Sequence, residues 1–335
     1  MNNRYIHYLV GLLTLFVVFT ACEETTFENN AKGNFDALWT IIDQNYCFLD
    51  YKEINWDEIY YKYHSRISNN MSKDALFTLM GEMLSELRDG HVNLSAAHDI
   101  TRYWKWSEDY PTNFDSAIQD LYLGKDYRIA AGMYYKILDD NVGYVYYRSF
   151  SNNVGHGNLS EVLNHMLLCK GIIIDIRSNG GGSLTNVDRI ASRFFNEKTL
   201  VGYITHKTGK GHNDFSDYYP KYISSYNGLR YQKPVVVLTN RGCYSAANDF
   251  ANVMRYAPNA ILMGDKTGGG SGLPFSSELP NGWSIRFSAS PIYDVNKNHI
   301  EFGIEPDIYV SMTAEDAADG KDTIIEAARD YINLK

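Results

Sequence analysis

The chain reads as an α/β protein of the mixed, α+β kind: a helical first part, then a core in which short buried strands hand over to helices through turns. Three stretches predict this. Residues 234–239 form a β-branched run of the core-strand kind, followed by a glycine-bearing turn at 240–244 and helical spacing from Ala246 through Phe250, Val253 and Met254. Residues 172–176 are continuously apolar except for Asp175, as in a strand buried on both faces, and Asn179 to Gly182 must then turn tightly. Residues 34–94 carry the helical period instead.

The elements follow in chain order. Residues 8–19 are an apolar stretch too short to span a bilayer, preceded by Arg4, and small residues lead into Cys22. This predicts a signal peptide over 1–21 of the lipoprotein type, with Cys22 lipidated and the protein anchored to a bacterial membrane in the cell envelope, on its periplasmic or surface face. Residues 22–33 are polar and read as a flexible tether. The formal charge is −9, or −10 once Arg4 leaves with the signal, and no basic stripe appears, so nucleic acid is not an expected partner. Cys47, Cys169 and Cys243 are odd in number and widely spaced, which suits neither a disulfide framework nor a zinc cluster and allows at most one bridge.

In the helical part, assigned to 34–98, Phe35, Leu38, Trp39 and Ile42 share one face, and Asn55 with Glu58 makes a capping-box-like start. Leu76, Leu79, Met80, Met83, Leu84 and Leu87 mark the longest apolar stripe. That helix is expected to end near Asp89, with Gly90 in the left-handed conformation past its end, which puts His91 on a fixed backbone. His91 is then either a solvated cap near the helix carbonyls or a functional imidazole. A connecting segment over 99–138 contains Tyr103, Trp104, Trp106 and Tyr110, able to line a cleft or to pack over the core. The core is assigned to 139–335.

Ser245 stands where the 234–239 strand meets its helix. Serine there is a favoured N-cap, but the same place gathers unpaired N–H groups and the positive end of the helix dipole, so an oxyanion formed beside Ser245 would find donors in place. The glycines at 180–182 permit close backbone approach, either for a tight turn or for an N–H donated to an oxyanion. They form neither a dinucleotide fingerprint nor a phosphate loop.

Five ordered segments are similar to the tricorn-like and C-terminal-processing (tail-specific) serine peptidases. LRDGHVNL at 87–94 resembles the family's D-G-H segment, and IIIDIRSNGGGS at 172–183 its D-x-R-x-N-x-G-G strand and turn. CYSAANDFANVM at 243–254 resembles its nucleophile segment, GDKTGGGSG at 264–272 its G-x-x-T-x-G loop, and GIEPDIYV at 303–310 its G-I-x-P-D close. The resemblance implies a ClpP/crotonase-like spiral of β-β-α units, with strands near 143–147, 171–176, 234–238, 261–264 and 283–289, preceded by a small helical domain of the tricorn type. The 45 or so residues between the helical part and the core are too few for a PDZ domain, so none is expected.

The resemblance also implies a mechanism. The lysine of a Ser–Lys dyad would fall on Gly270, so the expectation is the tricorn-like arrangement, with Ser245 as nucleophile, His91 as base and Glu301 in support. Glu305 lies close enough to compete for that role, and Gly90 replaces the serine that precedes the tricorn histidine. Ala246 and either Gly180 or Gly181 would supply the oxyanion hole. The predicted protein is thus a lipid-anchored serine peptidase acting on peptide or protein substrates, with no metal and no organic cofactor. Two alternatives stand beside it: a catalytically silent peptide- or ligand-binding lipoprotein on the same fold, and a glycan-binding lipoprotein suggested by an aromatic fraction of 14% with 27 tyrosines.

Overall fold

The structure, a computed structural model, describes residues 26–335. The expected signal segment, Cys22 and the first tether residues lie outside the described residues.

Three helices open the described chain, each capped by the residue its sequence offers. In α1 (Ala31–Asn45) the Asn30 side chain accepts from the Gly33 amide. In α2 (Trp56–His64) Asn55 accepts from Glu58 N at 3.2 Å, and in α3 (Lys73–Ser85) Ser72 accepts from Ala75 N at 3.1 Å. Helix α1 begins inside the stretch read as a tether, so a tether reaching residue 33 is incorrect: the chain is ordered against α1 from Glu28 on, where the Glu28 backbone abuts Gly33.

The end of α3 also departs from expectation. The helix stops at Ser85, and the left-handed residue is Arg88 (φ 51°), not Gly90. Arg88 is held there by its guanidinium, which donates to Lys52 O at 2.6 Å. Glycine is required at 90 for space instead: a Cβ there would lie 2.7 Å from Trp106 Nε1 and 3.0 Å from the Tyr244 hydroxyl.

After the short β1 (Asn93–Ser95) and α4 (Ser116–Leu123), the chain enters a large sheet through β2 (Arg128–Ala130), β3 (Met133–Ile137) and β4 (Gly143–Tyr147). Helix α5 (His156–His165) leads to β5 (Ile172–Asp175), and α6 (Leu184–Ala191) leads to a second sheet at β6 (Thr199–Ile204) and β7 (Tyr219–Ile223). The chain returns through β8 (Val235–Thr239), α7 (Ala246–Met254) and β9 (Ala260–Gly264), makes the hairpin β10 (Gly272–Glu278) and β11 (Ser284–Tyr293), and closes with β12 (Ile308–Tyr309), α8 (Ala314–Ala318) and α9 (Thr323–Asn333).

The large sheet has the order β12-β9-β8-β5-β4-β3-β2, parallel from β12 to β4 and antiparallel beyond. Strands β4, β5 and β8 are buried along their whole lengths, as parallel strands covered on both faces must be. Strands β2 and β3 belong to this sheet, so the core begins near residue 128, not 139, and the segment 99–138 is only partly a connection.

The second sheet runs β1-β11-β6-β7, with β10 also paired to β11. Through it the helical part loses any independent core: Phe35, Leu38, Met80 and Leu84 pack in one cluster with Leu279, Trp283, Ile285 and Phe287 of the hairpin. Pairing of β1 with β11 adds backbone hydrogen bonds to that union. Burying two units against one another in this way resists hinge motion between them. Among the described residues no helix is long and apolar enough to cross a membrane.

Candidate active site

Ser245 occupies a sharp elbow between β8 and α7. Its backbone lies at φ 58°, ψ −120°, a conformation costly for a residue with a side chain and tolerated where the surroundings over-determine it. Here they do: Tyr244 N donates to Asn179 O (3.0 Å), Ser245 N to Gly269 O (2.9 Å) and Asp249 N to Ser245 O (3.0 Å). The Ser245 side chain makes no capping hydrogen bond and is partly exposed, so the N-cap reading does not describe it. The hydroxyl is presented outward at the start of a helix whose remaining residues are all buried.

Opposite the elbow lies the turn after β5. Asn179 fixes it by donating from Nδ2 to Tyr147 O (2.8 Å) and accepting at Oδ1 from Gly181 N (2.9 Å). That bond commits the Gly181 amide, so Gly181 is not available as an oxyanion donor. The N–H groups of Gly180 and Ala246 have no acceptor among the described residues. Gly181 matters for space: at φ 99° it lies so close to the elbow that a Cβ would come 2.7 Å from Ser245 Cβ and 2.8 Å from Ala246 N.

The strand before that turn explains the rest of its motif. Arg177 is fully buried, forks onto Asp175 (2.9 and 2.7 Å), and reaches Asp322 (2.9 Å) and Asn113 O (3.1 Å). Asp175 and Arg177 are thus a buried ion cluster beneath the turn rather than groups open to a substrate. Thr267 plays the same supporting part beyond the elbow, donating to Asn248 Oδ1 of α7 and accepting from Ile304 N, both at 2.6 Å.

His91 is buried and packs its ring 5.0 Å from that of Tyr244, the residue before the serine. It is therefore no solvated helix cap. Its amide donates to Asp89 Oδ1 (2.8 Å), while ring Nδ1 has no partner. Burial, outweighing the attraction of Asp89 and helped by Arg286 and Lys52, lowers its pKa to about 4, so the ring is neutral at pH 7 and able to accept a proton. No hydrogen bond joins the ring to the Ser245 hydroxyl here; such bonds are often long before substrate tightens the site.

Glu301 is buried too, which rules out a surface carboxylate, whereas Glu305 is exposed and pairs with Lys266 at 2.7 Å. No hydrogen bond joins Glu301 to His91. Its Oε1 lies 2.8 Å from Lys52 Nζ, and its Oε2 accepts from Ser271 N (2.7 Å) and Ser271 Oγ (3.3 Å). Gly270, at the position of the dyad lysine, has no room for any side chain, because a Cβ there would overlap the Tyr244 ring. The tyrosine before the nucleophile and a lysine at 270 exclude each other.

Sequence reasoning did not single out Lys52, Tyr46, Ser271 and Ser288, which complete the buried cluster, and named Asp89 only as a helix end. The mixed polarity of D-Y-K at 50–52 carries no periodic signal, and only the fold brings it to the site. The aromatic segment is divided. Trp106 stacks on Tyr244 (4.2 Å between ring centres) and its carbonyl accepts from Arg241 Nε at 2.6 Å, while the Arg241 guanidinium lies 4.0 Å over the Tyr110 ring. Trp104 is exposed.

Comparison with known proteins agrees with this architecture. Residues 141–310, about half of the chain, match the model of peptidase family S41, and residues 27–85 match the tricorn protease C1 domain. A crystal structure of a candidate peptidase from Parabacteroides merdae is 55% identical, superposes with a TM-score of 0.87, and is covered over 97% of its length by 91% of this chain. The tricorn protease structure shares the fold at a TM-score of 0.56 and 16% identity, with 91% of this chain covering 37% of it. The carboxy-terminal processing protease CtpA of Bacillus subtilis is 23% identical over 196 residues, 58% of this chain and 40% of its own. The chain spans 34% to 40% of the length of the curated processing proteases that it matches first. On the family match and the 55% identical structure, this chain belongs to peptidase family S41, with a tricorn-type C1 helical unit ahead of its core.

Proposed function

We propose that the protein is a serine peptidase of the cell envelope, anchored by a lipid on Cys22, in which Ser245 is the nucleophile and His91 the base. The observation that carries this reading is the Ser245 elbow: a strained, partly exposed serine followed by the uncommitted N–H of Ala246, with the facing turn, packed on the elbow through Gly181, carrying the uncommitted N–H of Gly180. His91 takes the hydroxyl proton as Oγ attacks the scissile carbonyl. The resulting oxyanion is held by the Ala246 and Gly180 amides, each worth about 3 kcal/mol by analogy with other oxyanion holes. The imidazolium then gives its proton to the departing amine, leaving an acyl-enzyme that water hydrolyses with His91 again as base. Glu301 supports the site from behind, through Ser271 and Lys52.

The test is labelling of the purified protein with a fluorophosphonate. Wild type is expected to label, and Ser245→Ala and His91→Ala are not. Equal labelling of Ser245→Ala refutes the assignment. A folded wild type that stays unlabelled but binds peptides supports the second reading, a silent binding protein, which the missing His91–Ser245 hydrogen bond favours. For the anchor, metabolic labelling with palmitate is expected to vanish in Cys22→Ala.

A further inference from the structure

Behind His91 lies a closed group of three ionisable side chains drawn from three separate parts of the chain. Lys52 comes from the helical unit, Asp89 from the loop after α3, and Glu301 from the segment before β12. The Lys52 side chain is 1% exposed, and its Nζ lies 2.8 Å from Glu301 Oε1 and 3.5 Å from Asp89 Oδ2. Its other neighbours are the carbonyls of Leu87 (3.5 Å) and Arg88 (3.4 Å). Burying an ammonium this completely is unfavourable unless it is paired, and Lys52 is paired twice.

Each carboxylate is tied to one half of the candidate site. Asp89 accepts the His91 amide at Oδ1, while its Oδ2 accepts from the Tyr46 hydroxyl and Ser288 Oγ, both at 2.9 Å. Glu301 accepts from Ser271 N, its carbonyl accepts from Gly270 N (3.1 Å), and the neighbouring Gly269 carbonyl accepts from Ser245 N. Lys52 thus joins the loop bearing His91 to the backbone bearing Ser245, alongside Tyr244, whose hydroxyl donates to Asp89 Oδ1 at 3.4 Å.

We propose that Lys52 is a positioning residue of this site, bridging Asp89 and Glu301 so that the histidine and serine loops stay in register and the buried cluster carries a single net negative charge. This rests on the serine-peptidase reading. With Asp89 and Glu301 ionised and Lys52 protonated the cluster sums to −1, and a proton taken up by His91 brings the pocket to neutrality. The ion arrangement therefore suits the imidazolium that forms as Ser245 attacks, more than it suits the resting ring. Without Lys52, two carboxylates would face each other without a counter-ion and one would take up a proton in the resting state. Lys52 and His91 hold Asp89 down at about 2 against its burial, and Asp89 and Glu301 raise Lys52 against its own, whereas burial raises Glu301, so Glu301 is the carboxylate that takes up the proton when the Lys52 charge is lost. The other groups facing the cluster are Tyr46, Cys47 and Tyr244, the first and last hydrogen-bonded to Asp89 and all three shifted up by burial; Arg286 acts on His91 from β11.

The experiment compares the wild type with Lys52→Met, Lys52→Gln and Lys52→Arg. The His91 ring is titrated by NMR on histidine-labelled protein, with His91→Gln assigning its signal, and peptide hydrolysis is measured across pH. Removing the positive charge is expected to raise the His91 pKa by roughly one unit in Lys52→Met and Lys52→Gln, with Lys52→Arg returning it toward wild type. Hydrolysis is expected to lose about tenfold or more in kcat with KM little changed, because the histidine and serine loops lose their register even though the imidazolium itself becomes easier to form. Should Lys52→Met not fold, Lys52→Gln, which keeps hydrogen-bond donors without the charge, carries the comparison. A His91 titration identical to wild type in either folded neutral variant overturns the proposal. A wild type that resists fluorophosphonate while the neutral variants shift His91 overturns the peptidase reading and leaves the electrostatic coupling of Lys52 to His91 standing.

Discussion

A methyl group added at Gly181 should disable the site, whereas the same methyl added one residue earlier should not. At Gly181 the new Cβ would lie 2.6 Å from Tyr244 O, 2.7 Å from Ser245 Cβ and 2.8 Å from Ala246 N. All three belong to the elbow and none is the end of a flexible side chain, so the turn or the elbow must give way. The residue would also have to hold φ 99°, which costs about 1–3 kcal/mol for a side chain. Overpacking of a close contact adds about 1–3 kcal/mol, for a total of roughly 2–6 kcal/mol, part of it relieved by displacing the elbow. Displacement of a nucleophile by as little as ~1 Å costs about 100-fold in rate, so kcat/KM in Gly181→Ala is expected to fall by about that factor in the fraction that folds. At Gly180 a Cβ meets nothing within 4 Å, so Gly180→Ala keeps its N–H and is expected to match wild type in stability and activity. Urea unfolding followed by circular dichroism and hydrolysis of a fluorogenic peptide measure both quantities. Wild-type kinetics in Gly181→Ala, or equal damage in Gly180→Ala, would refute the reasoning.

Other outcomes follow from the same geometry. Arg177→Met leaves Asp175 and Asp322 buried without their counter-ion and is expected to cost about 3–5 kcal/mol in urea unfolding at pH 7, less at pH 4, where the orphaned carboxylates protonate; a loss under 1 kcal/mol would contradict the cluster described. Because burial lowers His91 to about 4, the acid limb of kcat/KM is expected well below the ordinary imidazole value of 6.5, and a limb at 6.5 would contradict a buried neutral base. Burial also lowers His299 to about 4. Its folded pKa lies below the unfolded one, so the native state binds fewer protons between 6.5 and about 4 and loses stability as pH falls through that window. His299→Gln should therefore show a smaller drop in urea midpoint between pH 7 and 4.5 than wild type. Cys47, Cys169 and Cys243 are all free and buried, so none is expected to react with a thiol reagent until urea unfolds the chain.

Much of the scaffold could be read locally. The β8 run, the turn at 240–244 and the α7 spacing depend on neighbours in sequence, and they place Ser245 on its elbow; the cap at Asn55 is equally local. The end of α3 could not be read this way. Gly90 looks like the left-handed stop, yet Arg88 takes that role because Lys52, 36 residues away, accepts from its guanidinium, and Gly90 is small because Trp106 and Tyr244 crowd it.

The sequence by itself determined the nucleophile candidate, the order of buried strands, the glycine turns and the absence of a lysine at 270. Tertiary structure alone decided which amides stay uncommitted, that the helical unit shares its core with the β10–β11 hairpin, and that Lys52, Asp89 and Glu301 converge behind His91. The reason is physical. Strand and helix periods are set by nearest neighbours along the chain, whereas a buried ion cluster is assembled from residues 37 to 249 positions apart, whose pairing becomes favourable only when folding has removed the water between them.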